Sequence, residues 1–227
     1  MKKKILLSAI VLCTLIAAGI AVWLFAPKED DDAKFYGEYY HNKVTAFTEE
    51  NKTLSNVDIA FIGDSITDGY AQYGNAYSDY KVAWRGISGD TTTGLYDRLD
   101  VSLYAVNPKI VVLLIGINNI DTMFEDYEKI ISDITHRLPD SELIIQSLHP
   151  TSKAFSDRNE RILSANEKIK NIAAEYGCTY VDTHSALKDA SVGEYSSLYT
   201  DDGLHPNANG YEKITEVLLP IIKQRLD

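Results

Sequence analysis

The chain has 227 residues, 33 of them acidic against 22 Lys and Arg, for a net charge of −11. That balance weighs against a nucleic-acid partner and against a strongly anionic polymer as ligand. Two cysteines make no disulfide framework, because one of them, Cys13, lies in an apolar N-terminal run.

Residues 2–4 are lysines, and residues 5–26 carry no charge, with Ser8, Cys13 and Thr14 as the polar exceptions. A helix of that length spans about 33 Å, enough for a bilayer core. Residues 1–26 are therefore expected to be an uncleaved signal anchor, a single transmembrane helix with the lysines on the cytoplasmic side. Trp23 suits the outer interface. The expected location is the cell membrane, with the rest of the chain extracytoplasmic. A cleaved, secreted form is the alternative, since Ala17, Ala18 and Gly19 offer a small-residue site. Cys13 follows Leu12 and is not read as a lipid acceptor. Residues 27–34 form an acidic linker. Residues 35–227 are long enough for one domain with a sizeable core. Without Lys2, Lys3 and Lys4 the chain after residue 26 carries 19 basic and 33 acidic residues.

Within the domain, strand-like and helical segments alternate. A helix is expected at 35–51 and a strand at 57–62. Strands follow near 80–84, 110–115, 143–146 and 178–181. Helical periodicity marks 92–105, 123–137, 156–176 and 208–225. In the third of these, Ile162, Ala165, Ile169, Ile172 and Ala173 recur on one face. Such alternation implies a parallel sheet covered by helices on both faces, a three-layer α/β/α fold. Ligands of such sheets bind beyond the carboxyl ends of the strands. Cys178 is read as a small buried apolar residue.

Four polar segments stand at strand ends or in loops. The first is Gly63-Asp64-Ser65-Ile66-Thr67-Asp68, after the 57–62 strand. A serine at such a turn is where a nucleophile is presented. The second is Trp84-Arg85-Gly86-Ile87-Ser88-Gly89-Asp90-Thr91-Thr92. The third is Ile115-Gly116-Ile117-Asn118-Asn119. The fourth is Asp202-Gly203-Leu204-His205-Pro206-Asn207. A serine needs an adjacent base, for which His205 is the candidate. Asp202, three residues earlier, would orient its ring.

These four blocks, in this order, resemble the SGNH hydrolases, also called GDSL esterases or lipases. The resemblance runs from about Phe35 to the end. It implies a flavodoxin-like strand order, 2-1-3-4-5. It implies a catalytic triad of Ser65, His205 and Asp202, and an oxyanion hole made by the backbone N–H of Ser65, the backbone N–H of Gly89 and the side-chain amide of Asn118. Asp201, Gly86 and Asn119 are the neighbouring rivals, set aside on the family spacing. Two positions depart from the family. Asn119 stands where Asp is common, which questions the hydrogen-bond support of that loop. Trp84 stands where Asn is frequent, its ring packing on the sheet or narrowing the entrance.

The expected protein is an extracytoplasmic, membrane-anchored serine esterase working through an acyl-serine intermediate. The substrate partner is a small-molecule or glycan ester, with O-acetyl glycans and small acyl or lysolipid esters foremost. Tyrosines between Tyr70 and Tyr80, with Tyr195 and Tyr199, suit sugar stacking but read first as packing. An acyl or acetyl transferase using the same acyl-enzyme, or a non-catalytic surface binding module, are the alternatives. No cofactor and no metal is expected. His41, His136 and His184 lack ligand spacing, and no phosphate-cradling loop occurs. His149 reads as a loop histidine, with a place in the pocket as the alternative.

Overall fold

A computed structural model describes residues 31–226, with side chains from residue 37 onward. Residues 38–227 form one compact unit. Five strands make one sheet: β1 (Ile59–Gly63), β2 (Val82–Gly86), β3 (Ile110–Leu114), β4 (Glu142–Gln146) and β5 (Thr179–Val181). Their order is β2-β1-β3-β4-β5 and every pair is parallel. β1 and β3 are buried along their whole length. That accounts for their unbroken apolar sequence, since both faces of a parallel sheet are covered. The chain winds one way from β1 to β2 and the other way from β3 onward. The crevice where the direction switches lies beyond the ends of β1, β2 and β3.

The helices are α1 (Asp31–Glu50), α2 (Ser65–Tyr70), α3 (Thr92–Asp97), α4 (Leu99–Ser102), α5 (Tyr127–Arg137), α6 (Asn159–Glu175), α7 (Thr183–Leu187) and α8 (Ala208–Leu226). α1 is interrupted at Gly37, whose φ is 76°. An aromatic cluster seats α2 against the sheet. Phe61 of β1 stacks on Trp84 of β2 at 4.5 Å, and Tyr70 and Tyr77 meet both rings edge-on. Trp84 thus packs on the sheet.

Several expectations need correction. The transmembrane helix does not enter the described fold: among the described residues no helix is long and apolar enough to cross a membrane. Residues 5–26, on which that expectation rested, lie outside the described residues. The helix expected at 92–105 is split into α3, α4 and a 3-10 turn at Tyr104–Val106. The break falls at Arg98, whose side chain is buried under the sheet ends instead of lying on a solvated face. α5 and α6 each start after a 3-10 turn, at Met123–Glu125 and Lys153–Arg158. α2 and α7 are too short to show a helical period in sequence. Cys178 is half-buried, its thiol pushed up to about 11 by burial and by the charge of Glu142.

Candidate active site

Gly63 ends β1 under steric demand. A Cβ there would stand 2.0 Å from Leu114 O on β3 and 2.5 Å from Thr67 Oγ1. Its role is close approach between neighbouring strands. Asp64 then caps α2, its Oδ1 accepting from Ile66 N at 3.0 Å. Ser65 is thereby the first residue of α2, where a helix leaves the backbone N–H without an intrahelical acceptor.

The last block brings the base to this serine. Ser65 Oγ lies 3.0 Å from His205 Nε2, and His205 Nδ1 lies 2.7 Å from Asp202 Oδ2. With a carboxylate at Nδ1, that nitrogen carries the proton and Nε2 accepts the serine hydroxyl. The loop holds itself in this shape. Asp202 Oδ1 accepts from the backbone N–H groups of Leu204 and His205, both at 2.8 Å. Thr200 Oγ1 donates to His205 O at 2.7 Å and accepts from Gly203 N at 3.0 Å. Partial burial pushes the Asp202 carboxyl up, but the bonds from the His205 ring and the two backbone donors outweigh it and bring it down to about 2. Asp201 is elsewhere: its backbone oxygen takes Lys153 Nζ and its carboxylate takes Asn207.

The second and third blocks meet beside the first. Residues Ile87 to Asp90 form a turn closed by Asp90 N to Ile87 O at 3.1 Å. Gly89 has φ +83° there, which L side chains avoid. The turn is anchored on three sides. Ser88 Oγ donates to Asp68 on α2 at 2.9 Å. Asp90 is paired with Arg98 at 2.8 Å. Asn118 Nδ2 donates to Asp90 O at 2.8 Å. An amide NH₂ has two hydrogens, so Asn118 keeps one to offer. Gly86, the rival glycine, is an interior spacer, since a Cβ there would stand 2.0 Å from Asp68 N. Asn119 answers the question raised by its departure from the family. Its Oδ1 accepts from Thr92 N at 3.3 Å and its Nδ2 donates to Thr92 Oγ1 at 2.9 Å, so the loop keeps its support.

Three residues that sequence reasoning missed hold this arrangement. Arg98 donates to Asp90, to Arg85 O at 3.0 Å, to Gly63 O at 2.9 Å and to Ser102 Oγ at 2.9 Å. It ties the ends of β1 and β2 to the Gly89 turn. Tyr39 and Lys43 on α1 reach Asp68 from 29 and 25 residues away in sequence, and no local pattern announces that contact. Asp64 is fully buried, with Oδ2 unpartnered among the described residues. Burial, and then the nearby Asp90 charge, push its carboxyl up to about 7 against the pull of Ile66 N–H and Arg98.

Ser65 and His205 open onto a cleft of about 420 Å³, also lined by Tyr39, Gln72, Tyr73 and Ser88. Asn118 opens onto a neighbouring cleft of about 550 Å³ with Phe155 and Arg158. His149 is outside both; it is buried against Tyr195. Among the described residues no group of three or more His, Cys, Asp or Glu is placed to hold a metal ion.

The chain is similar to known esterases. Over 211 residues it is 28% identical to a multidomain esterase of Ruminococcus flavefaciens, covering 81% of this chain but only 26% of that protein. It is 25% identical to an acetylxylan esterase of Geobacillus stearothermophilus, covering 74% of this chain and 94% of the relative. The crystal structure of a GDSL-like lipase from Bacteroides thetaiotaomicron superposes with a TM-score of 0.73 at 21% identity, over 82% of this chain and 99% of that one, which shows a shared fold. The family model of GDSL-like lipases and acylhydrolases matches residues 61–213, a span that holds all four blocks. The chain spans less than half the length of the first two curated relatives it matches. With the family model matching most of it, the chain belongs to the GDSL-like lipase/acylhydrolase family.

Proposed function

We propose that the protein removes short acyl groups, acetyl foremost, from hydroxyls of a polar alcohol such as a glycan, through an acyl-Ser65 intermediate. The observation that carries the chemistry is the unbroken relay from Ser65 Oγ to His205 Nε2 to Asp202 Oδ2, at 3.0 and 2.7 Å. His205 takes the serine proton as Oγ bonds to the ester carbon. The carbonyl oxygen becomes an oxyanion, for which Ser65 N–H, Gly89 N–H and the second hydrogen of Asn118 are the donors. The tetrahedral species collapses, breaking the bond to the alcohol, which leaves with the proton from His205. Water then adds to the acyl-enzyme with His205 again as base, and the acid departs.

The polar alcohol is supported by the cleft. Its lining carries Gln72, Ser88 and Asp68, polar side chains suited to a hydroxyl-bearing ligand. The acetyl group and the glycan are supported by similarity to an acetylxylan esterase. The test is a panel of p-nitrophenyl esters from acetyl to palmitoyl, with the full chain and Ser65→Ala. Turnover should be highest for acetyl and absent in the variant. A serine-directed phosphonate should label Ser65 alone. Activity that survives Ser65→Ala, or that peaks at palmitoyl, rejects this reading.

We further propose that the domain acts outside the cytoplasm. Support comes from the sequence alone: three lysines followed by an uncharged apolar run, the composition of an export signal. Protease added to intact spheroplasts should degrade any of the protein that stays with them; full protection there, with none of the protein released into the medium, would reject the location.

A further inference from the structure

The wall of the Ser65 cleft includes a part that belongs to none of the four blocks. Tyr39 comes from α1, outside the residues matched by the family model. Its hydroxyl donates to Asp68 Oδ2 at 2.6 Å, while Lys43 Nζ donates to Asp68 Oδ1 at 2.8 Å. The ring is fixed at its tip, yet the residue is 51% exposed. Tyr73, just after α2, follows the same logic. One face stacks on Tyr211 at 4.7 Å, and Tyr211 is in turn stacked on Tyr70 at 5.3 Å. The Tyr211 hydroxyl donates to Ile66 O at 2.9 Å, one residue past Ser65. Tyr73 is nevertheless 40% exposed.

Both residues are exposed and line the same cleft as Ser65 and His205. These two are already ordered, so a ligand that covers them meets little further ordering cost. Gln72 lines the same cleft, as do Ser88 and Asp68, which are bonded to each other. A pyranose matches both features, with a C–H face for the rings and hydroxyls for the polar lining. The described lining holds no Lys or Arg, and Asp68 is already matched by Lys43. An anionic sugar would therefore find no cation here.

We propose that Tyr39 and Tyr73 form a stacking subsite for a neutral pyranose, the alcohol part of the ester cleaved at Ser65, and that Tyr39 is the residue through which α1 sets specificity. The proposal rests on the esterase reading above. The test compares kcat/KM of the full chain on a peracetylated methyl xylopyranoside and on vinyl acetate, whose alcohol has no ring. Tyr39→Ala and Tyr73→Ala should each lower kcat/KM about tenfold more on the sugar ester than on vinyl acetate, mostly through KM, the scale of one lost aromatic contact. Tyr39→Phe keeps the ring and should retain most of the sugar preference. Equal losses on both esters, no loss on the sugar ester, or a Tyr39→Phe defect as large as that of Tyr39→Ala would overturn the subsite. The last result would assign the effect to the Asp68 bracket. A wild-type chain that cleaves neither ester would instead overturn the esterase reading, and the subsite with it.

Discussion

Asn118 holds Asp90 O at 2.8 Å with one amide hydrogen, and that bond aims the other. It couples the donor geometry of the third block to that of the second, because Asp90 closes the turn that presents Gly89. Loss of this side chain removes one of the three anchors of the turn and, in the proposed mechanism, one oxyanion donor. Asn118→Ala should lower kcat by about 10²–10³, the usual loss for one such donor. KM should change little, since the bond strengthens chiefly as charge develops on the oxygen. Steady-state kinetics on p-nitrophenyl acetate decide the matter. A raised KM with kcat intact would make Asn118 a ground-state binding residue.

At the scale of elements, the alternation of strands and helices was legible because buried parallel strands such as Ile110–Leu114 are apolar throughout. The grouping of the candidate residues Ser65, His205 and Asp202 was legible because Asp202 and His205 share one loop and Ser65 follows the end of a strand. Arg98 was not. In sequence it is one charge in an amphipathic stretch, and only the fold shows that the guanidinium joins β1, β2 and the Gly89 turn. Tyr39 was equally silent, because its contact with Asp68 depends on where α1 lies. The cost of losing Arg98 follows from burial. Arg98 and Asp90 are each 1% exposed at the side chain. Arg98→Met would leave Asp90 buried without its cation and should destabilise the protein by about 3–5 kcal/mol. Adding Asp90→Asn removes the stranded charge and should recover part of that loss. Urea unfolding of both variants measures it, and a double variant no more stable than the single one would show that the charge is not the cause.

Across the whole molecule, two buried groups pull the pH dependence of stability in opposite directions. His149 is 3% exposed and neither ring nitrogen has a partner among the described residues. Burial, and then the nearby His184, push its pKa down to about 3. An unfolded histidine takes up its proton below about 6.5. Between about 6.5 and 3 the unfolded chain binds a proton that the folded chain refuses. Stability therefore falls as pH drops through that window, by about 1.4 kcal/mol per pH unit. His184, also pushed down by burial and by Lys188, adds to the loss. Asp64 works the other way. Its carboxyl is raised from 3.8 to about 7, so the folded chain keeps a proton that the unfolded chain has released. Its contribution weakens stability as pH rises through that range. The His149 and Asp64 slopes oppose each other between about 4 and 6.5. Replacing either group should expose the other. His149→Leu should gain stability relative to wild type as pH falls from 7 to 4.5, whatever its offset at pH 7. Asp64→Asn should lose relative stability over the same interval. Urea midpoints of the three proteins at several pH values provide the check. Variant curves that run parallel to wild type would mean that neither group holds its altered proton affinity in the folded protein.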